Sequence, residues 1–111
     1  MGRGDYLGEL EQVVMLAVAR LEGGAYGMSV RREIEGRAGR AVAIGAVYST
    51  LERLEDKGYV HSVERDSGSS TDGRARRFFE LTTSGVDALQ AASDLQSRMW
   101  SGLRLRRAGR S

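Results

Sequence analysis

The sequence predicts a mainly α-helical fold with one small β-hairpin, in the order helix, helix, helix, strand, strand, helix. Two patterns lead to this prediction. Apolar residues recur with helical spacing in four segments, and they alternate with polar residues in two short segments between the third and fourth helices. A chain of 111 residues has room for one hydrophobic core, so we expect one domain.

The composition narrows the class of function. Hydrophobic residues make up 41% and charged residues 29% of the chain, which is typical of a globular protein. There is no cysteine, which excludes disulfides, thiolate catalysis and zinc–thiolate sites. The chain has neither an apolar run of about 18 residues nor a secretory signal at its start, so we expect a cytoplasmic protein with no membrane partner.

The basic residues are almost all arginines, and the excess of positive over negative charge lies in the second half of the chain, where several arginines are clustered. Lys57 is the only lysine among 17 basic residues, and the formal net charge is +2. Genome composition could explain the excess of arginine over lysine, but it does not explain the clustering. Arginine forms bidentate hydrogen bonds with phosphates, which favours a nucleic-acid partner. The clustered residues are Arg74, Arg76, Arg77, Arg104, Arg106, Arg107 and Arg110.

The first helix is apolar nearly all round and ends before Gly23 and Gly24. Such a helix is buried on more than one side, which in a domain this small points to cover from a partner chain. Its apolar residues are Leu10, Val13, Val14, Met15, Leu16, Ala17, Val18 and Leu21.

The second and third helices are predicted over residues 27–38 and 45–57. Glu33 and Arg37 can pair on the outer face of the second, and Gly58 is placed to cap the third. The opposite face of the third helix is polar, which suits an exposed recognition surface. Its residues are Gly45, Ser49, Glu52, Arg53 and Asp56, flanked by Tyr48 and Thr50.

Alternation of period two predicts a strand over residues 59–65 and a return strand over 74–81, joined by a flexible tip rich in Gly and Ser. Phe78 and Phe79 are its expected packing residues. Thr82 or Thr83 would cap a final helix that runs to Leu103, and the far half of that helix has nothing left in one chain to pack against. The predicted regions are a disordered 1–6, a domain at 7–82, a dimerisation helix at 83–103 and a basic flexible tail at 104–111.

Three helices followed by a hairpin form the winged helix-turn-helix arrangement, in which the third helix enters the DNA major groove and the hairpin, or wing, lies along the backbone. Gly45 and Ala46 would allow a close approach to DNA, and Tyr48, Ser49 and Thr50 would face base edges and phosphates. Arg53 would contact a phosphate or pair with neighbouring carboxylates. At least one of Arg74, Arg76 and Arg77 would bind phosphates, although charge can also protect an edge strand.

Three segments also resemble the PadR family of bacterial regulators. They are Ala25-Tyr26-Gly27, residues 45–58 and residues 73–82, and the resemblance covers about residues 7–90. It implies a short-form homodimer that represses transcription at pseudo-palindromic operators, with Tyr26 among its DNA contacts. Some short members of the family bind flat aromatic compounds between the subunits, which makes a small aromatic effector a candidate ligand. The chain departs from the family at Ala43 or Ile44, where a Ser or Asn that caps the third helix is common.

The expected dimer or effector interface combines the first and last helices. Trp100 would anchor the dimer core or stack on an effector. The interface residues are Leu10, Val14, Leu89, Ala92, Leu95, Met99, Trp100 and Leu103.

No catalytic, cofactor or metal site is evident in the sequence. The single histidine, His61, has no nearby metal-ligand pattern, and no nucleophile has a partner base. Two alternatives to a DNA-binding repressor remain, namely a winged helix that binds proteins and a ligand-sensing dimer without a primary DNA role.

Overall fold

The computed structural model describes residues 6–66 and 75–108. Within them lie four helices and a two-stranded antiparallel sheet in the predicted order. The first three helices are α1 (Glu9–Leu21), α2 (Gly27–Ala38) and α3 (Ile44–Asp56). The wing is formed by β1 (Val60–Asp66) and β2 (Ala75–Leu81), and α4 (Thr83–Trp100) follows it.

The residues at the ends of α3 and at the start of α4 take the capping positions that the sequence predicts. The amide of Gly85 donates to Thr82 Oγ1 at 2.9 Å, which starts α4 as predicted. Ala43 precedes α3 and offers no side-chain cap. Gly58 follows α3 at a positive φ of 80°, where a residue with a side chain would be strained.

The last helix is shorter than predicted. It ends at Trp100, and Gly102 takes a positive φ of 74°. The expected helix to Leu103 is therefore wrong, because Ser101 leaves the helical conformation (φ −58°, ψ 125°) and Gly102 is left-handed, so the helix ends three residues before Leu103. Leu103 lies in the turn that follows, where its amide donates to the Trp100 carbonyl at 2.9 Å.

One core joins the three helices of the domain to the wing. α1 contacts α2, α3, β2 and α4, so elements of the same chain cover most of its apolar surface, and Leu16 remains exposed. The wing is attached to the turn before α2, because the amide of Phe79 donates to the Ala25 carbonyl at 2.8 Å. The buried apolar residues are Val14, Met15, Ala17, Val18, Ala25, Val30, Ile34, Val47, Leu51, Leu54, Val60 and Phe79.

Two glycines permit close contacts between elements. A Cβ on Gly85 would lie 2.0 Å from the Tyr59 carbonyl oxygen, so only glycine lets α4 start against the beginning of the wing. A Cβ on Gly27 would lie 2.3 Å from Cζ of Tyr48. The Tyr48 ring therefore rests directly on the backbone at the start of α2.

Candidate nucleic-acid interface

The first two turns of α3 present a mostly exposed surface. Gly45, Tyr48 and Ser49 are exposed, and Ala46 is half-buried. No atom lies within 4 Å of a Cβ built on Gly45, so this end of α3 is open to a close approach. The absence of a side-chain cap leaves the first amides of α3 to solvent or to an anion such as a phosphate.

The structure moves one predicted residue from the surface to the core. Thr50 is only 1% exposed, so the prediction that it contacts DNA is wrong for this conformation. Its position explains the error, because Thr50 is one turn before Leu54 and three residues after Val47, both of which are wholly buried. Thr50 lies at the boundary of the apolar stripe of α3, and its side chain faces the core.

One face of the wing carries a stack of aromatic rings and guanidinium groups. The rings of Tyr26 and Phe78 meet edge to face at 5.5 Å. Arg76 lies 4.2 Å from the Tyr26 ring centroid and Arg65 lies 4.0 Å from that of Phe78, distances typical of cation–π contacts. Arg32 donates to the Tyr26 hydroxyl at 3.0 Å.

These contacts make the surroundings of Tyr26 cationic. The hydrogen bond from Arg32 is the largest effect and lowers the pKa of the Tyr26 hydroxyl. Burial opposes it, and the charges of Arg32 and Arg76 together with a hydrogen bond from Arg76 lower this pKa further. Arg32, Arg65 and Arg76 thus lie close together where the wing meets the start of α2. The same charge that stabilises a phenolate there would also attract a phosphate.

The opposite face of the wing is occupied by Arg77. Its guanidinium pairs with Glu55 of α3, donates to the Ser62 hydroxyl at 3.2 Å and lies 5.1 Å from the Phe79 ring centroid. The predicted placement of Arg76 and Arg77 on opposite faces is confirmed. Arg77 ties the wing to α3, whereas Arg74 lies outside the residues that the structure describes.

Arg53 pairs with a residue distant in the sequence. Its Nε lies 3.2 Å from Oε2 of Glu11, and Lys57 Nζ lies 2.9 Å from the same oxygen. The sequence predicts either a phosphate or a neighbouring carboxylate of α3 as its partner. In the structure the partner is a carboxylate of α1.

The outer end of α4 exposes a large apolar surface. Leu95, Met99 and Trp100 are 45%, 71% and 52% exposed. Leu103, beyond the helix, is 52% exposed. Leu10, Leu89 and Ala92 are half-buried. Val14 is 0% exposed within its own chain, so it offers a partner no surface, and its predicted place in the interface is wrong.

His61 and the acidic residues that the structure describes form no metal site. His61 lies on the exposed surface of β1 as predicted, 3.3 Å from Glu80. Within residues 6–66 and 75–108, no three His, Asp or Glu side chains are grouped to hold a metal ion. None of the described helices is long and apolar enough to cross a membrane.

The sequence analysis does not identify Arg32, Arg65 or Glu11 as residues of the candidate site. Glu11 carried a usable signal, because it shares the spacing i, i+3, i+4 with the buried Val14 and Met15. A carboxylate on a buried stripe requires a cationic partner. Arg32 and Arg65 gave no comparable signal, since only the folded chain brings them to the aromatic rings.

Comparisons with known proteins agree with this geometry. The sequence matches the Transcriptional regulator PadR-like family over residues 15–91. No curated protein sequence matches it. In fold, the chain is similar to RosR of H. salinarum in the RosR-S4 complex, with a TM-score of 0.71 and 24% identity over 92% of this chain and 83% of the other.

Two further solved structures are similar. A PadR-like transcription factor from Bacteroides fragilis gives a TM-score of 0.70 at 24% identity, covering 83% of this chain and 84% of that one. A PadR family transcriptional regulator from Eggerthella lenta gives 0.65 at 25% identity, covering 85% and 81%. With the family match over most of its length and this winged-helix architecture, the chain belongs to the PadR-like family of transcriptional regulators.

Proposed function

We propose that the protein is a sequence-specific DNA-binding repressor that binds pseudo-palindromic operators as a homodimer. The observation that carries the proposal is the exposed start of α3, where Tyr48 and Ser49 stand beside the open surface of Gly45. In a winged helix-turn-helix protein, this helix enters the major groove. Polar side chains there meet base edges, which carry the sequence information.

The basic residues of the wing are the proposed contacts to DNA phosphates. Arg76 is exposed and its guanidinium lies against the Tyr26 ring, next to Arg32. Phosphate contacts from such a cluster would fix the orientation of the protein on the duplex without reading the sequence. Arg77 makes its contacts within the chain, so we assign it to holding the wing rather than to DNA.

The homodimer is supported by the exposed surface of α4. Leu95, Met99 and Trp100 form an apolar surface at the end of an outlying helix, and contiguous apolar surface of this kind marks an interaction site. A second copy would cover it and would place two α3 helices about one DNA turn apart, roughly 34–36 Å. A dimer seated in this way would occlude a promoter.

We further propose that a flat aromatic ligand acts at the junction of the α4 helices and releases the DNA. Trp100 is the only tryptophan and is half exposed, so it could stack on such a ligand. A ligand shifts DNA affinity only if it binds one arrangement of the dimer better than the other. Quenching of Trp100 fluorescence, together with weaker operator binding, would support this step, and quenching without any change in DNA affinity would refute it.

Selection of bound DNA from a random pool tests the proposed function. We expect enrichment of a two-fold symmetric motif whose half-sites lie about 10 base pairs apart. Sedimentation of the free protein should show a dimer at micromolar concentration. If no motif is enriched at low salt, the interface binds something other than DNA, and a protein-interaction module becomes the better interpretation.

A further inference from the structure

The proposed reading surface continues along α3 into two basic residues. Gly45, Ser49, Arg53 and Lys57 are spaced four residues apart, so each is the neighbour of the next in a row that turns gradually around α3 and the residue that follows it. The row begins at the residues proposed to meet DNA and ends in two cations. Without further contacts, both cations would be available to phosphates beside the groove.

One carboxylate of α1 binds both cations. Glu11 Oε2 lies 3.2 Å from Arg53 Nε and 2.9 Å from Lys57 Nζ, and Glu11 Oε1 accepts from the Gly8 amide at 2.8 Å. Arg53 Nη2 also donates to Thr50 Oγ1 at 3.4 Å. The Glu11 side chain is 8% exposed, so its position is fixed by packing as well as by its partners.

Glu11 is ionised throughout the physiological range. Burial alone would raise the pKa of its carboxyl group, but the hydrogen bonds from Gly8, Lys57 and Arg53 outweigh burial and lower that pKa below 4.5. The cluster therefore contains two positive charges and one negative charge. A cation in this cluster must give up a charge-assisted hydrogen bond before it can bind a phosphate.

We propose that Glu11 is a specificity-determining residue that withholds Arg53 and Lys57 from the DNA backbone. This inference rests on the proposed function. Phosphate contacts raise affinity for every sequence equally, whereas base contacts discriminate. By neutralising part of the charge at the end of α3, Glu11 lowers affinity for arbitrary DNA and leaves discrimination to the start of the helix.

The test compares wild-type protein with Glu11→Gln on a short random-sequence duplex, using fluorescence anisotropy across a salt series. We expect the variant to bind more tightly and its log K to fall more steeply with log salt, by about 0.9 per released cation. Its advantage over wild type should shrink by roughly threefold per released cation between about 50 and 200 mM salt.

Asp94→Asn is the matched control, because it makes the same charge change on α4, where Asp94 accepts only from Gln90 at 3.1 Å among the described residues. If Glu11→Gln and Asp94→Asn have equal salt slopes, the inference is overturned. It is also overturned if Glu11→Gln weakens binding to the random duplex, since that would mean the carboxylate positions Arg53 for a phosphate.

A second variant keeps the test decisive if Glu11→Gln does not fold. Arg53→Gln in the wild-type background should leave the salt slope unchanged, because Arg53 is already neutralised by Glu11. A slope that becomes shallower by about one would show that Arg53 binds a phosphate while paired. Failure of the wild type to bind any duplex at low salt would instead count against the proposed function.

Discussion

Replacement of Gly27 by alanine should separate DNA binding from folding. A Cβ at this position would lie 2.3 Å, 2.4 Å and 2.6 Å from Cζ, Oη and Cε1 of Tyr48, whereas carbon atoms in contact lie about 3.5 Å apart. The Tyr48 ring must therefore move by more than about 1 Å. Because Tyr48 is 43% exposed, the ring can move toward solvent without opening the core.

The expected energies follow from that geometry. Forcing the ring off its preferred rotamer costs about 0.5–1.5 kcal/mol, and replacing glycine in a helix by alanine returns up to about 1 kcal/mol. Because Gly27 is the first residue of α2, that gain is small, and the free energy of unfolding should fall by no more than about 1.5 kcal/mol. Loss of a well-formed base contact costs about 1–3 kcal/mol, which corresponds to a 5- to 150-fold weaker complex.

The assay pairs urea denaturation with anisotropy on a duplex recovered by selection. Gly36→Ala is the control, because it lies on the same helix with no atom within 4 Å of the added Cβ. It should stabilise the protein by about 0.5–1 kcal/mol and leave DNA affinity unchanged. If Gly27→Ala folds normally and binds the duplex as well as wild type does, the assignment of Tyr48 to the DNA interface is refuted.

Three further predictions concern the fold and the buried residues. Gly85→Ala should destabilise the protein by about 2–3 kcal/mol, because its Cβ would meet backbone at Tyr59; a thermal melt within a degree of wild type would contradict this. Thr50→Val should leave affinity for the selected duplex within about twofold, since Thr50 is buried, and a tenfold loss in a folded variant would return it to the DNA interface. Wild type should be more stable than Glu11→Gln above pH 4.5, and this advantage should shrink as the pH falls below 4.5, because the pKa of Glu11 is lowered in the folded state. Urea titrations from pH 7 to 3 measure the advantage, and a constant value would contradict this prediction.

The order of the elements could be predicted because each has a strong local signal. The stripe ending in Leu54, the left-handed Gly58 and the cap at Thr82 all act within one or two turns of the chain. The end of α4 is harder to predict, since the apolar stripe continues to Leu103 while the backbone leaves the helical path at Ser101 and Gly102. Periodicity reports which residues are apolar, and it does not report where a helix ends.

The contacts of individual arginines could not be predicted from the sequence. Arg53 and Arg77 find their partners 42 and 22 residues away, at Glu11 and Glu55. Such pairs depend on how α1 and the wing pack against α3, which a single sequence does not specify. The assignment of Thr50 failed for a simpler reason, because a residue at the boundary of a helical stripe can face either way.

The structure of the protein bound to its selected duplex tests the proposed reading surface most directly. We expect two copies of the chain, with Tyr48 and Ser49 of each within hydrogen-bond distance of base edges in successive major grooves and Arg76 beside the backbone. A complex in which α3 faces away from the duplex, or in which a single chain binds alone, would contradict the proposed mode of recognition.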